Sequence, residues 1–257
     1  SFHHAGRPGL LAQLDILVDG QPQVLATDSA WRVFPDLSWD ASAPRISRFH
    51  LEVSDRVDLR KSAGRWYAGD FDDSNWNPAV PLVRAVGWPG PQEDARPQAW
   101  TPPWTKLEER DLPLLKEKRM PAQELIQAQP VKGSAFHFAR RIGSDLPYVR
   151  SVRIDETVQA GFSESDIQGW FLLYDFGRVV NGLPYLEIQG PAGTVVDILC
   201  APYVVDGEFT SQIVDSQLTD RIVLSGDPDE WEAVYFKPAR YMAVVVRKGT
   251  GPVRLDE

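Results

Sequence analysis

The chain has 257 residues, 43% of them hydrophobic and 25% charged, which suits one large or two medium globular domains. Its formal net charge of −9 argues against a nucleic-acid partner, because phosphate binding needs clustered Lys and Arg, and no apolar run is long enough to span a bilayer. The lone cysteine, Cys200, rules out an intramolecular disulfide and, within "VVDILCAPYVV", reads as a small buried hydrophobe. The opening "SFHHAGRPGLL" lacks the charged-then-apolar layout of a signal peptide, which leaves the compartment open. With 21 prolines and 19 glycines, the composition favours short strands and turns over long helices. Nine tryptophans add broad apolar faces suited to sandwich cores and to sugar rings.

In chain order, "LLAQLDILVDGQPQVLAT" holds Asp19-Gly20 between two extended runs and predicts a hairpin. "SAWRVF" predicts a short strand, and "RISRFHLEV" alternates as a strand does at Ile46, Phe49, Leu51 and Val53. "NPAVPLVRAV" reads as extended. From 87 to 130 the chain turns rich in proline and charge and reads as a linker across a surface, pinned by Trp100 and Trp104. Within it, Pro121 is well placed to open a short helix over "PAQELIQ". From 131 onward about seven short strands are predicted: "YVRSVRIDETV", "GWFLLYDFG", "LPYLEIQG", "TVVDILCAPYVV", "DRIVLSG", "WEAVYF" and "RYMAVVVRKG". The separators "DFGRVVNG", "GPAG", "VDGEF", "GDPDE" and "KPA" carry turn chemistry. Closely spaced strands with no helical pattern between them predict an antiparallel sandwich.

The second half resembles the β-sandwich domain that precedes the catalytic barrel in bacterial α-L-rhamnosidases of glycoside hydrolase family 78. The resemblance rests on Asp175-Phe176-Gly177, Gly182, the "GPAGT" hairpin from Gly190 to Thr194, Asp206-Gly207, Asp220-Arg221, Trp231-Glu232 and Arg240-Tyr241. The first half, through "RPGLLAQLDILVDG", "ATDSAWRV" and "FDDSNWNPAV", is similar to the amino-terminal sugar-binding-like sandwich of the same enzymes. Pro202, where the family often has Glu, and Pro238-Ala239, where it often has Gly-Phe, depart from the pattern. The resemblance implies an all-β protein of two antiparallel β-sandwiches, one jelly-roll or galactose-binding-like and one concanavalin-like, joined by a Pro-rich linker. The expected division is 1–95, 96–130 and 131–257. In the family a helical (α/α) barrel with the acidic catalytic residues follows; the chain stops at "PVRLDE", so that barrel is expected as a missing partner of the same polypeptide.

No Asp or Glu here sits in a recognisable catalytic motif, although glycoside hydrolysis usually needs two carboxylates flanking the bond. The expected role is therefore a non-catalytic accessory region that supports the barrel and takes rhamnose-containing carbohydrate; the alternative is a stand-alone lectin-like protein. The stretch "GRWYAGDFDDSNWNPAV", residues 64–80, is the candidate site. It reads first as a turn, in which Asp72, Asp73 and Ser74 bond the backbone while Phe71 and Trp76 plug the core. It also offers a sugar platform, with aromatic faces at Trp66 and Tyr67 and polar groups at Asp70, Asp72 and Asn75. No cofactor is required, but Asp70, Asp72 and Asp73 are hard oxygen donors of the type calcium takes, without the Gly and terminal Glu of an EF-hand loop. In the second half Trp170, Tyr174, Tyr185 and Tyr203 fall within strands and are expected to face the core. The histidines His3, His4, His50 and His137 are scattered, with His3-His4 in a loose terminus.

Overall fold

The structure is a computed structural model that describes residues 9–47, 52–80, 111–130, 152–153, 169–204, 206–213, 216–247 and 251–256. Trp88, Trp100, Trp104 and all four histidines lie outside them. In chain order the described strands are β1 (Gln13–Val18), β2 (Gln21–Ala26), β3 (Arg32–Val33), β4 (Arg56–Asp58), β5 (Asn77–Pro78), β6 (Glu124–Pro130), β7 (Val152–Arg153), β8 (Gly169–Gly182), β9 (Tyr185–Gln189) and β10 (Val195–Ala201). They continue with β11 (Glu208–Phe209), β12 (Gln212–Ile213), β13 (Ser216–Gln217), β14 (Thr219–Val223), β15 (Pro228–Glu232), β16 (Lys237–Arg247) and β17 (Arg254–Asp256). The single helical element among the described residues is a 3-10 turn at Leu59–Lys61, so the all-β reading holds.

The chain divides into two compact units. One comprises 1–35 and 65–117, the other 36–64 and 118–257. In the first, β1 and β2 pair antiparallel from Val18↔Gln21 to Gln13↔Ala26. Asp19 and Gly20 join them at φ 52° and 76°, as a tight hairpin with the strands' own twist requires. β3 pairs antiparallel with β5, and Ala79 donates its N–H to the Trp31 carbonyl at 2.7 Å.

The second unit is built on a six-stranded sheet in the order β4-β14-β10-β16-β8-β6, with a three-stranded sheet β15-β9-β17 beside it. Both faces of the large sheet are apolar. Val196, Ile198 and Cys200 of β10, Ile222 of β14 and Val244 of β16 form one core with Leu186, Ile188 and Trp231 of the small sheet. Leu199 and Ala201, alternate to them on β10, form a second core with Phe171, Leu173, Phe209, Ala243 and Val245. Burial on both sides explains the unbroken apolar runs of β10 and β16, since side chains alternate between faces and neither face meets water. Cys200 is buried as the sequence suggests, and burial pushes its thiol up to about 12.

Four features differ from the sequence reading. Residues 36–64 join the second unit, because β4 pairs with β14 (Arg56↔Arg221), the one parallel pair among the described strands. Residues 124–130 form β6, an edge strand antiparallel to β8, in place of a helix within a linker; pairing with a long partner outweighs the helix-compatible opening at Pro121. "DFGRVVNG" continues β8 to Gly182, and Lys237 of "KPA" opens β16 rather than sitting in a turn. The described ends of "RISRFHLEV" pair with each other: Arg45 bridges Val53, and Ile46 donates its N–H to the Glu52 carbonyl at 2.9 Å.

Candidate functional site

The stretch from 64 to 80 is a chain of tight turns. Ala68 donates to the Arg65 carbonyl at 2.9 Å, Phe71 to Ala68 at 3.0 Å and Trp76 to Asp73 at 2.9 Å. The Asp72 carboxylate accepts the Ser74 N–H at 3.0 Å, closing an Asx turn, and Ser74 holds the Asp72 carboxyl below its ordinary range. Trp76 stacks on Phe34 (centroids 5.6 Å apart, planes at 21°) and meets Phe71 edge-on at 5.5 Å. Trp76 and Phe71 are half-buried rather than core plugs. Arg32 donates to the Trp76 carbonyl at 3.1 Å and fixes the loop's end to β3.

This framework leaves the expected aromatic platform in the open. Trp66 is 59% and Tyr67 69% exposed, with their rings edge-to-face at 6.0 Å. Asp70, Asp72, Asp73 and Asn75 are exposed on the following turns. Among the described residues no three or more His, Cys, Asp or Glu side chains, these aspartates included, form a group that could hold a metal ion. Trp76→Ala is expected to destabilise the first unit by about 2 kcal/mol, less than a fully buried Trp, because two ring contacts and half the ring's burial are lost. Asp73→Ala, at an exposed side chain, should stay within about 0.5 kcal/mol. Urea denaturation of both variants checks the ranking, and addition of calcium checks whether Asp73 gains weight with the ion present.

In the second unit the aromatics divide. Tyr174 is half-buried against the first core and Tyr185 is half-buried, its hydroxyl donating to Glu187 at 2.5 Å under the guanidinium of Arg119. Trp170 and Tyr203, expected to face the core, are 48% and 50% exposed. Trp170 shares the face of Leu172 and Tyr174 but sits at the very start of β8, and Tyr203 lies past the end of β10.

The residues singled out by their order and spacing converge on one role. Arg240, in the bulge between Ala239 and Tyr241, grips Asp175 with two hydrogen bonds of 3.1 Å, and both partners' charges are mutually stabilised. Gly177 sits at φ 72° and donates its N–H to the Asp175 carboxylate; a Cβ there would run into Gln123. Gly193, at φ 86°, turns the "GPAGT" hairpin and donates to the Leu224 carbonyl at 2.9 Å. Arg221 and Arg247 both clasp the buried Asp197, at 2.6 Å and 2.9 Å. Asp220 pairs with a fully buried Lys237 at 2.8 Å. Trp231 fills the core between the sheets.

Residues 166–254, which hold all of these groups, match the family described as the bacterial alpha-L-rhamnosidase concanavalin-like domain. This part of the chain is α-L-rhamnosidase-like. The matched stretch leaves out residues 36–64, β6 and β7 of the second unit, of which β4 and β6 are the edge strands of its six-stranded sheet. No curated protein matches the chain. Among solved structures, the fold is similar to that of a GH78 family rhamnosidase from Bacillus sp. GL1, with 14% identity and a TM-score of 0.66 over 95% of this chain and 44% of that one. At that identity the likeness concerns the fold. An α-L-rhamnosidase from Streptomyces avermitilis, solved with L-rhamnose, is more distant in shape: 20% identity and a TM-score of 0.45 over 94% of this chain and 18% of that one. The chain thus spans less than half the length of the Bacillus enzyme and under a fifth of the Streptomyces one.

Proposed function

We propose that the chain is the non-catalytic accessory region of an α-L-rhamnosidase-like glycoside hydrolase, that its rhamnosidase-type sandwich supports a catalytic barrel of the same polypeptide, and that the Trp66–Asn75 loop takes rhamnose-containing glycan. The observation that carries the reading is how the matched stretch uses three of its aspartates. Asp175, Asp197 and Asp220 are each held by a cation and tie strands together. Hydrolysis of a glycoside needs carboxylates free to flank the scissile bond; these are committed to scaffold.

Support for the glycan comes from the first unit. A sugar ring lays its C–H face on an aromatic surface while fixed polar groups take its hydroxyls. Trp66 and Tyr67 offer the exposed faces, and Asp70, Asp72 and Asn75 the polar groups, on a loop braced by the Phe34–Trp76–Phe71 stack. Affinity for a monosaccharide is weak, because a shallow loop covers few ligand atoms. Titration of L-rhamnose followed by NMR, with and without calcium, is expected to shift the amides of residues 65–76. Shifts confined to residues 131–257 would contradict the site. Shifts at 65–76 that need calcium would assign Asp70, Asp72 and Asp73 as its ligands.

A further inference from the structure

Residues 36–64 belong to the second unit, although the chain on both sides of them belongs to the first. They fold back on themselves as an arm. Asp40 donates its N–H to the Arg56 carbonyl at 2.9 Å and Asp58 to the Ser38 carbonyl at 2.8 Å. Farther along, Ser54 donates to Pro44 at 2.8 Å and Ile46 to Glu52 at 2.9 Å. β4 is the strand of this arm that meets the large sheet, parallel to β14 from Arg56↔Arg221 to Asp58↔Val223.

The arm is held as a bound peptide is held. Asp55 is 1% exposed and is gripped at three points. Its N–H donates to Asp220 Oδ1 at 2.9 Å, its carbonyl accepts the Arg221 N–H at 2.8 Å, and its carboxylate accepts the Val234 N–H at 3.0 Å. Val57 and Ile46, 4% and 8% exposed, enter the core shared by the two sheets. This is the pattern of strand addition: main-chain hydrogen bonds along a sheet edge supply affinity, and pockets for alternate side chains, here those of Asp55 and Val57, supply selectivity. An arm already paired with itself loses little further freedom on docking. Without it, β14 would present an open edge, and Asp220 would lose the N–H on Oδ1.

The link from this arm to β6 has the opposite character. Residues 111–119 are all exposed and form neither strand nor helix, which is the kind of backbone a protease cleft can take. Lys116 and Lys118 carry the basic side chain that a trypsin-type specificity pocket recognises.

We propose that the edge of β14 is a strand-binding site for residues 36–64 that holds without a covalent link, and that residues 114–118 are a protease site where the chain is cut without shedding its rhamnosidase-type domain. Hydrolysis between Lys116 and Glu117, or between Lys118 and Arg119, consumes one water and leaves a carboxylate on the lysine and an amine on the next residue. Residues 36–64 then belong to the amino-terminal fragment and stay in the sheet of the other. The stretch 166–254 accordingly needs this arm to complete its sheet.

Limited trypsin digestion of the full chain, read by mass, tests both halves of the proposal. Cleavage after Lys116 or Lys118 is expected early, and the two fragments are expected to elute together on native size exclusion and to separate in urea. A linker still intact when residues 169–247 have been cut overturns the protease site. Fragments that part without denaturant overturn the strand site. Val57→Asp, which drives a charge into the core, is expected to let the nicked fragments separate without urea. Asp55→Ala, a milder loss at the same seat, is expected to lower the urea concentration at which they separate, and it decides alone if Val57→Asp does not fold. Nicked fragments that separate at the same urea concentration with and without the Asp55 side chain are held by something else, and the strand site falls.

Discussion

Lys237→Ala is expected to lower the stability of the second unit by about 3–5 kcal/mol at pH 7, because removing one partner of a buried ion pair leaves its counter-charge stranded without water. Here the stranded groups are two. Among the described residues Asp220 has no other cation against it in the core, and Asp55 lies beside it on the neighbouring backbone. The loss also carries a pH signature. Burial already raises both carboxyls above the ordinary range, with Asp220 at about 6, and removal of the ammonium takes away the influence that lowers them. A carboxyl raised in the folded state binds its proton there at a pH where the unfolded chain has released it, so stability falls as pH rises from about 4 through the folded value. The deficit of Lys237→Ala is therefore expected to be larger at pH 7 than at pH 4. Urea melts at the two pH values check this; a deficit that grows on acidification would mean that the carboxyls are stabilised as anions by something other than Lys237.

Trp231→Ala is the second large effect, at about 3–5 kcal/mol, the usual range for truncating a buried aromatic. Trp231 is nearly sealed, pairs with Leu186 across β15 and β9, and stands between the small sheet and the apolar face of the large one. Its removal leaves a cavity that two sheets cannot close without shifting register. Trp66→Ala is the control. Its ring is mostly in water, so the same chemical change should move stability by no more than about 0.5 kcal/mol. Denaturation of the two variants side by side separates a tryptophan that builds the sandwich from one that is available to a ligand.

The division between these two tryptophans was only partly legible in the sequence. Local chemistry was readable: Asp19-Gly20 between extended runs foretold its hairpin, "GPAGT" its turn, and the apolar run around Cys200 its burial. The Asx turn at Asp72 followed from residue type alone. What escaped notice depends on partners far along the chain. β4 joins β14 in parallel across more than half the sequence, a pairing that no nearby turn announces. β6 is a strand because β8 lies beside it, while its own residues suit a helix equally well. Lys237 reads only as part of the "KPA" turn in the sequence; the fold places it against Asp220 in the core. The bulge at Arg240 likewise turns a residue of an apolar strand toward Asp175, a pairing that alternation alone does not predict. The candidate loop was legible as an exposed aromatic turn because its residues are close in sequence. The exposure of Trp170 and Tyr203 was not, since it depends on where the covering strands stop.

The proposed accessory role places no catalysis in this chain. The most direct measurement is the release of aryl alcohol from an aryl α-L-rhamnoside by the purified 257-residue chain. No release above the buffer rate is expected, because Asp175, Asp197 and Asp220 of the matched stretch are held by Arg240, by Arg221 with Arg247, and by Lys237, and no other acid of the chain sits in a recognisable catalytic motif. A measurable rate that disappears when one of the chain's own carboxylates is replaced by its amide would contradict it.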